Sequence, residues 1–182
     1  MSALVVYESM YGNTRTIANA VAVGMRETHA VDVMSVADVT PADLAAAALV
    51  VLGGPTHIHG MSSPRSRKAA VDGAAKAGAT LEAGAAGDGV RELLARMERM
   101  NGRPAAAFDT RMPGWSLLTG RASRGIVRLM RRAGFRLVAP PASFIVDREN
   151  ALLPGELDRA RSWGREVGAK VTPTSRAGAA TG

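Results

Sequence analysis

The sequence predicts a doubly wound α/β domain: a five-stranded parallel sheet with helices on both faces. Three observations predict it. Short β-branched apolar runs alternate with helical patterns along the whole chain, the connections between them are short, and the run Ala48-Leu49-Val50-Val51-Leu52 is apolar at every position. An unbroken apolar run marks a parallel strand covered on both faces, whereas a strand with one wet face alternates. In such sheets ligands sit beyond the carboxyl ends of the strands, where strand order reverses, so the loops after the first, third and fourth strands are expected to converge.

The first strand, Leu4-Val5-Val6-Tyr7, breaks into the small hydroxyl-rich turn Glu8-Ser9-Met10-Tyr11-Gly12-Asn13-Thr14. A helix follows at once, its apolar face made by Ile17, Ala18, Val21, Ala22 and Met25. A strand-turn-helix of this kind aims free backbone N–H groups and a helix N-terminus at one point, which suits a phosphate. Ser9, Asn13 and Thr14 add side-chain donors, and Gly12 permits close approach or a positive φ. Hydrogen bonds to a charged acceptor contribute about 1.5–3 kcal/mol each, so four or five of them hold a phosphate without a lysine. The same residues also suit a plain helix N-cap.

The remaining elements follow in order. Residues 30–36 read as the second strand through Val31, Val33 and Met34, and Thr40 with Pro41 opens a short helix as N-cap and first residue. The third strand is expected to end in a turn at Gly53-Gly54-Pro55-Thr56, followed by a polar loop over residues 57–64. Residues 65–89, rich in Ala and Gly, read as a weakly specified helix and a flexible connection. Helical character returns over 90–100 through Leu93, Leu94 and Met97, and 103–108 is the fourth strand. A long loop over 109–120 leads to a basic helix over 121–133. The fifth strand comes in two pieces, 135–138 and 143–146, interrupted at Pro140-Pro141. The last helix starts at Pro154, with Glu156 and Asp158 near its positive end and Leu157, Ala160, Trp163 and Val167 turned inward. One domain over 1–171 is expected, with a disordered tail over 172–182. His29, following a helix, reads as a surface residue.

Composition excludes several classes. At 182 residues, 47% hydrophobic and 21% charged, the chain is an ordinary globular sequence. It contains no cysteine, which excludes disulfides, thiol catalysis and thiolate metal sites. No basic leader or cleavage-like site opens it and no apolar run approaches the roughly 18–20 residues of a membrane span, so a cytoplasmic location is the expectation. The net charge of +7 is uneven: residues 1–90 hold 6 Lys/Arg and 8 Asp/Glu, residues 91–182 hold 17 and 8. That asymmetry reads either as an anionic partner, a peripheral anionic membrane contact included, or as compositional drift with arginine as the default surface residue. Aromatic residues make up only 4% and no stacking platform or recognition module is present, which argues against nucleic acid. A serine nucleophile elbow, a Walker lysine loop and a paired-carboxylate site are all missing, so catalytic residues are none and any reaction falls to a cofactor.

Ser9-Met10-Tyr11-Gly12-Asn13-Thr14 is similar to the FMN-phosphate loop of the flavodoxin family. Gly54-Pro55-Thr56-His57 resembles the start of that family's second flavin loop, and Phe108-Asp109-Thr110-Arg111, running on to Trp115, falls where its third belongs. The resemblance covers about residues 2–170 and is closest to the short-chain type. It implies strand order 2-1-3-4-5, FMN as cofactor, and electron transfer between redox partners. The implied cofactor contacts are Ser9, Met10, Tyr11, Gly12, Asn13 and Thr14 in the first loop. Pro55, Thr56, His57, Ile58, His59 and Gly60 follow in the second, and Phe108, Asp109, Thr110, Arg111 and Trp115 in the third.

The chain departs from the family in three ways. His57 stands where a stacking tryptophan is often found, and Ile58 where a glycine peptide flips beside the flavin, a role Gly60 could supply. His57 and His59 read as flavin contacts or, with less support, as a metal pair; Trp115 as a ligand face or as packing over the next helix; Asp109 and Thr110 as partners of the pyrimidine edge or as caps. The chain is basic where flavodoxins are usually acidic, which implies a second one-electron potential less negative than is typical of acidic members. Arg121, Arg124, Arg128, Arg131 and Arg132 form one helix face, either solvated or a docking site for an acidic redox partner or a carboxylate-bearing substrate. Two alternatives stand beside the electron carrier: an FMN-dependent oxidoreductase acting on a quinone or a porphyrinogen, and a flavodoxin-fold module that has lost flavin.

Overall fold

The computed structural model describes residues 1–57, 60–114 and 120–171. Ile58, His59, Trp115 and the 172–182 tail lie outside the described residues. In chain order the elements are β1 (Ser2–Tyr7), α1 (Asn13–Met25), β2 (Ala30–Ser35), α2 (Pro41–Ala46), β3 (Leu49–His57), β4 (Gly60–Met61) and α3 (Pro64–Ala77). Then come α4 (Val90–Ala95), β5 (Pro104–Arg111), α5 (Ala122–Arg132), β6 (Arg136–Leu137), β7 (Ala142–Ile145) and α6 (Glu156–Ala169).

The main sheet runs β2-β1-β3-β5-β6, all pairs parallel, with β7 also paired in parallel to β5. The order 2-1-3-4-5 therefore holds by position. Described strands number seven rather than five because β6 and β7 share the fifth place on either side of Pro140-Pro141, and β4 is a short antiparallel appendage of β3.

Strand alternation divides the core. Leu4, Val6, Val50, Leu52, Ala105 and Ala107 face one side, where Leu44 of α2, Val90 and Leu93 of α4, and Ile126 and Met130 of α5 cover them. Ala3, Val5, Leu49, Val51, Ala106 and Phe108 face the other, against Ile17, Val21 and Met25 of α1 and Ala160 and Val167 of α6. The two helices of that second layer approach so closely that a Cβ on Gly24 would stand 2.0 Å from the Arg161 carbonyl oxygen, and one on Gly164 2.1 Å from that of Val21. Small helices are fixed locally: Thr40 Oγ1 accepts the Asp43 N–H while Asp43 Oδ2 accepts that of Thr40, a reciprocal cap opening α2.

Several expectations change. Gly53-Gly54-Pro55-Thr56 is not a turn: β3 continues through it to His57 and then pairs antiparallel with β4, Thr56 opposite Met61 and His57 opposite Gly60. Gly53 is required for space, since a Cβ there would lie 2.0 Å from Phe108 Cζ. The fourth strand likewise runs three residues past Phe108, so Asp109, Thr110 and Arg111 belong to β5 rather than to a loop. His29 is buried, capped under α6 with Nδ1 2.9 Å from Thr28 Oγ1, and burial lowers its pKa. Leu157 is exposed: the inward face of α6 is made by Ala160, Gly164, Val167 and Gly168, with Gly164 against the Val21 backbone of α1 and Gly168 against Thr28 Oγ1.

Gly53→Ala is expected to destabilise the protein by about 1–3 kcal/mol through overpacking against the Phe108 ring. Urea unfolding measures it; a midpoint equal to that of the unchanged protein would show that the ring has room to move.

Candidate functional site

At the carboxyl end of β1 the chain turns through Gly12, whose φ of 95° lies in the left-handed region that favours glycine. The Gly12 N–H donates to Ser9 Oγ at 3.1 Å, which closes the turn. The first helical bond of α1 runs from the Thr16 N–H to the Gly12 oxygen at 2.9 Å. The amides of Asn13, Thr14 and Arg15 therefore precede the hydrogen-bonded ladder and have no intrahelical acceptor. The N-cap residue, Gly12, has no side chain with which to cap this helix end.

The loop is pinned from three directions. Thr14 Oγ1 and Thr110 Oγ1 lie 2.7 Å apart in a buried hydroxyl pair linking α1 to β5. Two hydroxyls sharing one hydrogen bond leave a second donor free. Asn13 Nδ2 donates to the Asn150 backbone oxygen at 2.8 Å and to its Oδ1 at 3.0 Å. Asn150, itself left-handed at φ 63°, sits in a turn organised by Asp147, whose Oδ1 accepts the N–H groups of Glu149 and Ala151. The Glu82 N–H donates to the Met10 oxygen at 2.9 Å.

Beside this loop opens a cleft of about 440 Å³, lined on one side by Ser9, Met10, Tyr11, Asn13 and Thr14 and on another by Pro55, Thr56 and His57. Its size lies within the range of about 300–1,000 Å³ usual for small-molecule sites. Tyr11 and Met112, at 40% and 46% exposure, are two of the few large apolar residues left open to solvent, and both border it. A cleft of similar volume, about 460 Å³, lies at the opposite end of the sheet between α2 and residues 97–104, away from the strand ends where ligands collect in this architecture.

The third segment divides. Thr110 and Arg111 line the cleft, but Phe108 and Asp109 are fully buried. Phe108 packs edge-on against Phe144 and Trp163, with ring centroids 6.0 and 6.2 Å away. Asp109 Oδ2 accepts the Ser123 N–H at 2.7 Å, and Thr56 Oγ1 accepts that of Ala122 at 3.0 Å, so β5 and β3 together cap α5. The capping alternative is therefore the one the geometry realises for Asp109. Gly60 lies in β4, with open space where a Cβ would stand.

Sequence reasoning missed the wall supplied by Ser66, Ala69 and Ala70 of α3, and the contributions of Met112, Val146 and Asn150. The Ser63-Pro64 start of α3, with Ser63 accepting the Ser66 N–H at 3.2 Å, was the available signal for the first three. Behind the β3–β4 hairpin, buried Arg67 donates to Ser62 Oγ at 2.8 Å and to Glu92 Oε2 at 3.0 Å, and Arg91 Nε donates to the Ser62 oxygen at 3.1 Å. His57 Nδ1 lies 3.2 Å from Ser66 Oγ.

Burial lowers the His57 pKa; the Glu8 carboxylate opposes that effect and the Arg67 guanidinium reinforces it. The imidazole is therefore neutral at pH 7, and protonating it in acid costs stability between its unfolded pKa and its lower folded one. NMR titration of the His57 ring is expected to give a midpoint below the ordinary value of about 6.5. A midpoint at or above that value would contradict the burial account.

The flavodoxin family model matches residues 5–97 of the sequence. Among solved structures, the chain is similar to a flavodoxin from the domain Archaea, at 24% identity and a TM-score of 0.64 over 94% of this chain and 99% of that one. It is similar to the flavodoxin of Streptococcus pneumoniae TIGR4 at 21% identity and a TM-score of 0.65, over 94% and 100%. It also resembles the flavodiiron core from Synechocystis sp. PCC6803 at 19% identity and a TM-score of 0.60, spanning 94% of this chain and 36% of that larger one. These likenesses establish the fold. Among curated proteins none matches the sequence. The family match spans half of the chain and takes in both the first loop and the β3–β4 hairpin, and the chain belongs to the flavodoxin family, whose members bind flavin and interact with redox partner proteins.

Proposed function

We propose that this chain binds FMN in the cleft at the carboxyl end of the sheet and passes electrons between redox partners. The observation that carries this reading is the first loop, where the amides of Asn13, Thr14 and Arg15 have no intrahelical acceptor and Asn13 and Thr14 line the cleft. The donor set fits a phosphate monoester: backbone amides, the Ser9 and Thr14 hydroxyls, and the positive end of α1, while the Asn13 side-chain amide is engaged by Asn150. The Ser9 and Thr14 hydroxyls and the Asn13 backbone N–H would hold the phosphate, while Tyr11, Pro55, Thr56, His57, Thr110 and Arg111 are the lining residues available to the ring system. FMN, when bound, supplies one- and two-electron chemistry. The protein contributes position, exclusion of water and a neutral imidazole beside the cleft.

The partner surface in this reading is α5. Arg124, Arg128, Arg131 and Arg132 are exposed on it and Arg121 stands at its start. Among the described residues none of the five pairs with a carboxylate. The helix begins at the cleft, because Thr56 both lines the cleft and accepts the Ala122 N–H. A row of unpaired guanidinium groups leading away from the cofactor's edge favours an acidic partner, whose approach it would steer. No helix among the described residues is long and apolar enough to cross a membrane.

The purified protein supplied with FMN is expected to show flavin absorption bands and quenched FMN fluorescence. Thr14→Ala, which removes one hydrogen bond to a charged acceptor, and Gly12→Val, which forces a β-branched residue to a φ of 95°, are each expected to weaken FMN binding by about tenfold or more. Unchanged affinity in both variants would refute the phosphate assignment. Arg124→Glu with Arg128→Glu is expected to slow association with an electron-transfer partner, and added salt to slow that of the unchanged protein. An association indifferent to both would remove α5 from the interface.

A further inference from the structure

The first loop contains a single cation, Arg15, in the first turn of α1 and beside the free amides. A guanidinium so placed would ordinarily be recruited by a phosphate. Here it is held elsewhere. Arg15 Nε lies 2.7 Å from Glu82 Oε1, in an ion pair whose carboxylate side chain is only 16% exposed. Arg15 does not line the cleft. It lines a separate hollow of about 190 Å³ together with Glu8, Asp38, Glu82 and Asp88, and that hollow shares only Ser9 with the cleft. Glu82 is itself fixed: its N–H donates to the Met10 oxygen at 2.9 Å, and its Oε1 lies 3.8 Å from where a Cβ on Gly12 would stand. The segment 78–89, expected from sequence to be a loose connection, is thus folded onto the back of the loop. Ala85 is buried in it, and the Ala85 and Gly87 amides bond within it to Glu82 and Gly84.

We propose that Glu82 determines how the loop recognises a phosphate: it neutralises Arg15 and holds it outside the cleft, so that the phosphate meets uncharged donors only. The inference rests on the FMN reading and adds to it a residue that touches no ligand. Its electrostatic consequence is specific. Removing the carboxylate frees a positive charge next to the phosphate; removing the guanidinium leaves a negative charge there; removing both restores neutrality. A merely structural brace would instead lose affinity in every case.

The test is a double-mutant cycle on the full chain: unchanged protein, Glu82→Gln, Arg15→Gln and the double variant, each titrated at low salt with FMN and with riboflavin. Glutamine keeps the backbone bond to Met10, and riboflavin lacks the phosphate while keeping the ring system. Glu82→Gln is expected to tighten FMN binding about three- to tenfold, as one partly screened charge near a dianion does, and Arg15→Gln to weaken it by a similar factor. The double variant is expected to return close to the unchanged protein, riboflavin affinity to stay level across all four, and added salt to erase the gain. Shifts of the same sign in both single variants, riboflavin shifts that track those of FMN, or equal FMN affinity in all four proteins would overturn the inference alone. Failure of the unchanged protein to bind FMN would overturn the cofactor reading and this inference with it.

Discussion

Three backbone amides at the start of α1 precede its hydrogen-bonded ladder and have no intrahelical acceptor, and the surrounding structure holds them in that arrangement. A helix end left uncapped beside a cleft is unusual, because orphan N–H groups are normally met by a side chain at the N-cap. In this chain the N-cap is a glycine, and the Ser9 hydroxyl accepts the Gly12 N–H, which leaves its own O–H to donate. Parts remote in sequence converge to hold the turn open: Thr110 from β5, Asn150 from the turn after β7, and Glu82 from the segment following α3. Each fixes the loop through a different atom, and in the proposed reading that frame preorganises the donors for an anion.

The charge distribution separates two tasks. Around the loop the one cation is matched by Glu82, with Asp38 and Asp88 nearby, and the wall residue His57 is held neutral by burial. The excess of arginine lies in the second half of the sequence and is displayed on α5, whose capping by Asp109 and Thr56 fixes it relative to the cleft. In the proposed reading, a chain of net charge +7 thus combines a phosphate loop whose own cation is paired, with Arg111 on the opposite wall of the cleft, and a cationic face for association. On that reading, recognition of the phosphate depends on direction rather than on long-range attraction, and salt acts on partner association more than on the pocket.

What could be read in advance divides along physical lines. The fold class was legible because Leu49 to Leu52 are apolar on both faces, as a covered parallel strand requires, within a chain of alternating strand and helix patterns, and the first loop because its hydroxyls and Gly12 follow a strand and open a helix. Gly53 was misread for a reason intrinsic to glycine: the residue serves tight turns and close approach alike, and only the position of the Phe108 ring distinguishes them. Asp109 was ambiguous because a carboxylate at a strand end can face a ligand or cap a helix, and the register of α5 against β5 decides which. The 65–89 segment carries little amphipathic pattern, so its docking through Glu82 and the α3 wall of Ala69 and Ala70 left no periodic trace. His29 was taken for a surface residue because nothing local marks the glycine face of α6 that covers it.

The central claim is that a neutral loop grips the phosphate of a flavin nucleotide, and ³¹P NMR of FMN on the unchanged protein reads it most directly. Amides and a helix N-terminus that hold the dianion should displace its resonance from that of free FMN. The signal should then stay constant across the range around the second phosphate pKa of about 6. A bound flavin whose phosphorus resonance titrates as it does in solution would place the phosphate in water and contradict the account.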